Sequence, residues 1–340
     1  MPPETKSDSL APLNGKSGTV SVVLCTYNGE RYLPTQLASY LKQTRLPDEL
    51  VVGDDGSTDS TESLIHEFAS VAPFPVHFTR NPQRLGVGGN FDQAIQRCSG
   101  EFIALSDQDD EWRSDKLERL VTLLNQNPLA GYACSDAEMI GEDGQPQHHR
   151  LWEQYRCAPL EFLQRGDSSA QHLLLQSDRI LGATMVLRAK CVRSLSPIPK
   201  TWLHDHWLSV MCELMSFHGV ASPELLTRYR LHRDQTCGVR RPVGHYRQKK
   251  LSFSQRCEQR IRRRDRLTDL RVHLEEQLIP HHPELARWRP TLEEATKLAE
   301  QAISRDSLSW WRRKLTRLAQ WWSIHPLSLR SRTHQGTDRV

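Results

Sequence analysis

EFIALSDQDDEW, residues 101–112, holds an apolar run, Phe102–Leu105, that ends abruptly in Asp107, Asp109, Asp110 and Glu111. A short apolar run bounded by polar residues reads as a strand buried on both faces. Carboxylates this close repel and raise one another's pKa, so something positive must compensate them. A D-x-D pair at a strand end can hold a hard divalent cation, which binds one or two carboxylates together with substrate phosphates. The same letters also suit an acidic surface turn, and the surrounding chain decides between the two.

Outward from this stretch, strand and helix patterns alternate. TVSVVLC (19–25), LVVGDD (50–55), VHFTRN (76–81) and FIALSD (102–107) read as strands. YLPTQLASYLKQT (32–44), a segment carrying Leu64, Ile65 and Phe68, GVGGNFDQAIQRC (86–98) and SDKLERLVTLLNQN (114–127) have helical spacing. Ser57 or Thr58 and then Ser114 are expected N-caps. This order predicts an α/β domain with a mostly parallel sheet and right-handed crossovers. Ligands bind such sheets beyond the carboxyl ends of the strands. Thr26-Tyr27-Asn28, Asp54-Asp55-Gly56 and Asp107-Gln108-Asp109 therefore converge on one edge, which favours the functional reading of D-x-D.

After residue 130 the pattern is coarser. YACSDAEMI (132–140) suggests a strand followed by a GEDG turn (141–144), and RILGATMVLR (179–188) a buried strand. HDHWLSVMCELMSFHG (204–219) suggests a helix closed by Gly219, and ELLTRYRLH (224–232) an extended segment. From about 246 the chain is basic and helical.

The composition is globular, with 37% hydrophobic and 25% charged residues. No run approaches the ~18 apolar residues of a membrane span. Residues 1–18 are polar without an apolar segment and read as a disordered tail rather than a signal peptide. Eight cysteines without a C-x-x-C pair suit reduced thiols in a cytoplasmic protein. The net charge of +4 hides an asymmetry. Residues 1–239 hold 22 Lys and Arg against 30 Asp and Glu, whereas 240–340 hold 23 against 11. A basic half implies an anionic partner or a solvated helical surface.

Other motifs have two readings each. Asp55 suits a ligand to base or ribose, or a capping turn. GVGGN (86–90) suits close backbone approach to a ligand or a plain turn, and it lacks the G-x-G-x-x-G spacing of a dinucleotide site. Asp205, in the first turn of its helix, suits a general base or an N-terminal carboxylate favoured by the dipole. His204 and His206 read as surface or supporting residues. His232, with Arg230, Arg233 and Gln235, suits phosphate neutralisation or a basic loop.

TYNGERYLPTQLASYLKQT, DDGSTDST, GVGGNF and SDQDDEW, in this order, resemble the inverting glycosyltransferases of family 2. The likeness covers 19–127 well and continues thinly through GATMV (182–186), HDHW and YRLHRDQ (229–235). It implies the GT-A fold: a Rossmann-like mixed α/β sheet over 19–240, with a nucleotide-sugar half (19–127) and an acceptor half (128–240). A mostly helical, basic extension occupies 241–340. The SDQDD-W variant and the HDHW-to-YRLHRDQ tail look most like non-processive rhamnosyltransferases of surface-polysaccharide assembly.

By position, the resemblance implies that Thr26, Tyr27, Asn28, Asp55, Asn90, Asp107, Gln108 and His232 bind the nucleotide sugar. Asp109, with Asp107, would hold Mg²⁺ or Mn²⁺, and Asp205 would be the catalytic base. Some members carry a basic residue where this chain has Asn90, so His232 is the candidate for help with the diphosphate. The donor would be a nucleotide-diphosphate sugar such as dTDP-rhamnose, and the acceptor a lipid-linked or polysaccharide glycan. Q-x-x-R-W, the mark of processive membrane-embedded members, is absent.

Within DSLSWWRRKLTRLAQWW (306–322), Leu308, Trp311, Leu315, Leu318 and Trp322 form one helical stripe flanked by arginines. Such a stripe suits an anionic membrane surface, peripheral on the cytoplasmic face of the inner membrane. It also suits packing on the catalytic domain or a partner helix. Three rivals stand beside the transferase. A sugar nucleotidyltransferase would need a Gly-rich basic loop where TYNGERY stands, and a non-catalytic relative would lack Asp107, Asp109 or Asp205. A nucleic-acid-binding protein is suggested by the basic tail alone, and no such motif is present.

Overall fold

Strand β1 (Val20–Thr26) runs through the middle of the sheet. In the computed structural model, which describes residues 18–155, 180–235 and 253–305 with Pro159, Leu163, Ala170 and Leu174, β1 has parallel neighbours on both sides. These are β2 (Glu49–Asp54) and β4 (Phe102–Asp107), with β3 (Val76–Arg80) outside β2. Helices α1 (Leu33–Leu41), α2 (Thr61–Val71) and α3 (Gly86–Gln96) make the crossovers.

Alternation along β1 explains its continuous apolar run. Val20, Val22 and Leu24 face Leu33, Leu37 and Tyr40 of α1 and Ile65 of α2. Val23, with Val51, Ile103 and Leu105, belongs to the opposite cluster with Phe91, Ala94 and Ile95 of α3. The register sets Thr26 beside Asp54 and Cys25 beside Asp107, so the three strands end level.

Beyond β4 the sheet becomes mixed. It adds β5 (Glu111–Trp112), β6 (Tyr132–Ile140), β7 (Pro146–Arg150), β8 (Met185–Arg188) and β9 (Gly219–Arg230). The order is β3-β2-β1-β4-β8-β6-β9-β5, with β7 paired to β6. β8 is antiparallel to both β4 and β6, which joins the parallel half to the rest. α4 (Lys116–Gln126) covers the face of α1 with Leu117, Leu120, Val121 and Leu124.

Several boundaries differ from the expected ones. α2 begins at Thr61, because Ser57 is held by the Asp54 carboxylate rather than capping a helix. α4 begins at Lys116 after Asp115, and Ser114 gives its carbonyl to the Thr44 amide at 2.7 Å. The helix carrying Asp205 spans His204–Leu214 and does not reach Gly219. Ser216 makes the left-handed turn with φ of 64°, and Gly219 starts β9. A Cβ at Gly219 would fall 2.2 Å from the Tyr132 ring, so packing rather than capping requires glycine there. Among the described residues 180–188 only Met185–Arg188 is a strand, preceded by a single 3₁₀ turn at Gly182–Thr184. Strand β7, polar and on the sheet edge, carries no apolar alternation to announce it.

Leu267, Leu270 and Leu274, from the C-terminal helices, share one core with Trp207, Met211 and Leu214. Trp288 Nε1 donates to the Leu214 carbonyl at 3.1 Å. The helix bearing Asp205 is thus packed against the C-terminal helices, and its His204 ring stacks on Phe91 of α3. The apolar stripe at 306–322 lies outside the described residues. Among those described, no helix is long and apolar enough to cross a membrane.

Candidate active site

The three polar strand ends meet in one open cleft of about 150 Å³, lined by Thr26, Tyr27, Asp55, Asn90, Asp107, Gln108 and Asp109. Its walls are built by side chains that bond backbone. Asp54 organises the β2 turn, accepting from Thr26 Oγ1 at 2.9 Å and from the Ser57 amide at 2.9 Å. Asn28 takes a left-handed conformation, φ 49°, which asparagine tolerates. Its amide N–H donates to Ser57 Oγ at 2.9 Å and its Oδ1 accepts from the Thr58 N–H at 2.8 Å. Gln108 clamps Tyr27, accepting from its N–H at 2.9 Å and donating to its carbonyl at 3.1 Å. The Arg84 guanidinium lies 3.7 Å above the Tyr27 ring.

Asp55 and Asn90 are tied into the same wall. Asp55 accepts from the Leu85 N–H at 2.7 Å and the Gly86 N–H at 2.9 Å, across the opening of α3. Leu85, the N-cap of α3, has no capping side chain, and the Asp55 carboxylate does that work from β2. Asn90 donates to the Gly53 carbonyl at 2.7 Å and accepts from Asn81 Nδ2 at 2.9 Å.

The acidic turn is clasped by the end of β9. His232 Nε2 lies 2.7 Å from Asp109 Oδ2. Arg230 donates its backbone N–H to Asp110 Oδ1 at 2.9 Å and its Nε to the Asp109 carbonyl at 2.8 Å. Asp110 is fully buried, and its second oxygen has no hydrogen-bond partner among the described residues. Burial, then the charges of Asp109 and Asp107, push its carboxyl well above the usual range. Burial, then the charges of Asp109 and Asp205, push Asp107 up to about 8. The internal cation is Lys116, fully buried, with its Nζ 3.8 Å from the Trp112 ring. Burial pulls Lys116 down to about 7 against the opposing pull of Asp110 and Asp107.

Asp205 reaches the same cluster from the other side, close enough for its charge to act on Asp107. Its Oδ2 accepts from the Gly182 N–H at 2.9 Å and its Oδ1 from the His206 N–H at 2.7 Å. His204 and His206 are buried, contrary to a surface placement. The His204 ring stacks on Phe91 at 3.7 Å, and burial lowers its pKa.

Two residues of this site were not anticipated. Arg84 sits in loop sequence with no motif of its own. Lys116 carried a signal: a cation in the first turn of a helix opposes the dipole and needs another partner.

Residues 21–184 match the profile of Glycosyl transferase family 2. It is 33% identical over 111 residues to the UDP-Glc:alpha-D-GlcNAc-diphosphoundecaprenol beta-1,3-glucosyltransferase WfgD of Escherichia coli. That match spans 33% of this chain and 43% of the relative. It is 32% identical over 116 residues to the dTDP-rhamnosyl transferase RfbG of Shigella flexneri, spanning 33% and 40%. The first curated relatives are matched over between 34% and 68% of their own length. The mannosyltransferase PcManGT from Pyrobaculum calidifontis, solved with GDP-Man and Mn²⁺, superposes with a TM-score of 0.51 at 17% identity. That alignment covers 94% of this chain and 85% of the neighbour, and it shows the fold alone. The fold is a GT-A-like mixed sheet with helices in its C-terminal part.

Proposed function

We propose that this chain is a glycosyltransferase that moves a sugar from a nucleotide-diphosphate donor to a hydroxyl of a glycan acceptor, with inversion, in cell-surface polysaccharide assembly. The observation that carries the reading is the convergence of Thr26, Tyr27, Asp55, Asp107 and Asp109 on one cleft, with Asp205 buried behind its lining and near enough for its charge to act on Asp107. Tyr27 and Asp55 would receive the nucleotide. Asp205, oriented by the Gly182 and His206 amides, would take the proton of the acceptor hydroxyl as that oxygen attacks the anomeric carbon. The acceptor oxygen, attacking in line opposite the leaving diphosphate with one base to take its proton, inverts the configuration.

The acidic cluster suits a divalent cation. No donor among the described residues bonds the Asp107 carboxylate, and Asp110 keeps a buried oxygen without a partner. Among the described residues no group of three ligating side chains stands ready, so Asp109 and Asp107 would hold Mg²⁺ or Mn²⁺ together with substrate phosphates. When bound, the ion would stabilise negative charge on the departing diphosphate. His232 would keep the Asp109 carboxylate in orientation.

For the donor, dTDP-rhamnose follows from the motif resemblance and the match to RfbG. UDP-glucose follows equally from WfgD, which matches over a third of the chain at similar identity. A lipid-linked acceptor, as in the name of WfgD, would bring the enzyme to a membrane surface, and the 306–322 stripe is the proposed contact. The test is a thermal-shift panel of dTDP, UDP, GDP and CDP, with and without Mn²⁺, on wild type and Asp109→Ala. A ligand that binds only the folded state raises the melting temperature. A metal-dependent shift with one nucleotide, lost in the variant, is expected. No shift with any nucleotide would remove the transferase reading.

A further inference from the structure

Lys116 stands where a cation is disfavoured, at the first residue of α4, and its side chain is fully buried. Its Nζ donates to the Ala183 carbonyl at 2.5 Å. The same carbonyl accepts from Thr227 Oγ1 of β9 at 3.1 Å. Ala183 is the middle residue of the Gly182–Thr184 turn. The preceding residue of that turn, Gly182, points its N–H the other way, onto Asp205 Oδ2 at 2.9 Å. Two consecutive residues therefore join the buried ammonium to the carboxylate of Asp205.

The turn has little freedom of its own. The Thr184 N–H and hydroxyl both donate to the Leu181 carbonyl, at 3.0 and 2.8 Å. A Cβ at Gly182 would lie 2.6 Å from His204 Nε2, so the turn already abuts the helix that carries Asp205. On the other side the ammonium is fixed by the Trp112 ring and by the field of Asp110 and Asp107.

We infer that Lys116 is a positioning residue for sugar transfer, anchoring the Gly182–Thr184 turn to the acidic cluster so that the turn holds the Asp205 carboxylate in place. This rests on the reading of Asp205 as the base. A base displaced by a fraction of an ångström loses much of its effect while substrate binding survives. Lys116 also links the two halves of the site. The donor side of the site would be built on β4 and its acidic turn, and the base side on the helix of Asp205. Arginine is no substitute, since a planar fork cannot occupy the space of one ammonium between a carbonyl and a ring face.

The experiment is a double-mutant cycle on the full-length protein. Release of nucleoside diphosphate is followed with UDP-glucose, dTDP-rhamnose and GDP-mannose in Mn²⁺, and the donor that wild type consumes is used throughout. Lys116→Met, which keeps the stem and removes the charge, is expected to lower kcat at least tenfold with the donor KM within about threefold of wild type. Asp205→Asn is expected to lower kcat about a hundredfold or more. The double variant should then fall no more than about threefold below Asp205→Asn, because one residue acts through the other. Multiplying losses, or a Lys116→Met kcat within twofold of wild type, would overturn the inference while leaving Asp205 as the base. Undiminished turnover by Asp205→Asn, or no donor consumed by wild type, would remove the base reading and the inference with it. If Lys116→Met does not fold by circular dichroism, Thr227→Val decides. It removes the second donor to the Ala183 carbonyl, and a threefold or greater loss of kcat that disappears in the Asp205→Asn background is expected. No loss, or a loss that multiplies, counts against the inference.

Discussion

His232 Nε2 and Asp109 Oδ2 lie 2.7 Å apart although 123 positions separate them in the chain. The contact closes the mixed half of the sheet onto the parallel half at the point where the acidic turn emerges. Arg230, two residues earlier, binds the same turn through the Asp109 carbonyl and the Asp110 carboxylate. A carboxylate held from one side by imidazole presents its other oxygen in a fixed direction. His232→Ala should therefore raise the Mn²⁺ concentration needed for half-maximal turnover by roughly 10–100-fold, as for other partners of metal-binding groups. An unchanged Mn²⁺ requirement would show that Asp109 is oriented without this ring.

The raised pKa of Asp107 makes a prediction about stability with a definite sign. Its folded value of about 8 exceeds the ordinary carboxylate value of about 3.9, so the folded state binds this proton more tightly than the unfolded one. The contribution is fully present below the unfolded value and is lost as pH rises towards the folded one. Asp107→Asn carries no charge and escapes that loss. In metal-free buffer it should melt a few degrees above wild type at pH 8, and the difference should vanish as pH falls towards about 4. Added Mn²⁺ should stabilise wild type at pH 8 and leave the variant nearly unmoved. A wild type as stable as the variant at pH 8 would mean that the acidic cluster is already compensated within the protein.

Much of this site is legible along the chain, and the remainder fails for identifiable reasons. β4 is announced by its apolar run, and the level ends of β1, β2 and β4 follow from parallel pairing, so Asp55, Asp107 and Asp109 fall together. Gln108 belongs to the same motif, yet its role as a clamp on Tyr27 depends on a partner 81 positions away. Arg230 and His232 are brought to the acidic turn by β9, whose path depends on β8 running antiparallel between β4 and β6. No local period encodes that reversal. Lys116 and Leu85 are different cases, because each contradicts a local rule. One is a cation at a helix start, resolved by the distant Ala183 carbonyl and the neighbouring acidic turn, and the other an uncapped N-cap, resolved by the distant Asp55 carboxylate.

Gly219 tests the distinction between capping and packing. Tyr132 is fully buried and its phenol donates to Glu213 Oε1 at 3.1 Å, so the ring cannot retreat from a new methyl group. Gly219→Ala should cost about 1–3 kcal/mol through overpacking. The melting temperature should fall by a few degrees. Ser216→Gly should be neutral or slightly stabilising, since glycine adopts the positive φ of that position freely. If Gly219→Ala melted like wild type, the close approach to Tyr132 would have to be relieved by a shift of β9.

Asp55 offers the sharpest separation of structural from ligand-binding roles. Its carboxylate accepts from the Leu85 and Gly86 amides and from Asn81 Nδ2, so it serves as the cap of α3. Asp55→Ala should leave those buried donors unmatched at a cost of about 1–3 kcal/mol. The nucleotide-free melting temperature should fall accordingly. Asp55→Asn retains one oxygen as acceptor but turns an N–H₂ towards a backbone donor, and it should lose a similar amount. Nucleotide affinity, measured by titration calorimetry on whichever variant folds, should fall as well, because the α3 amides and the loop carrying Arg84 lose their anchor. A variant that binds nucleotide poorly while melting as wild type does would assign Asp55 to the ligand alone. A variant that melts early but binds normally would assign it to the helix cap alone.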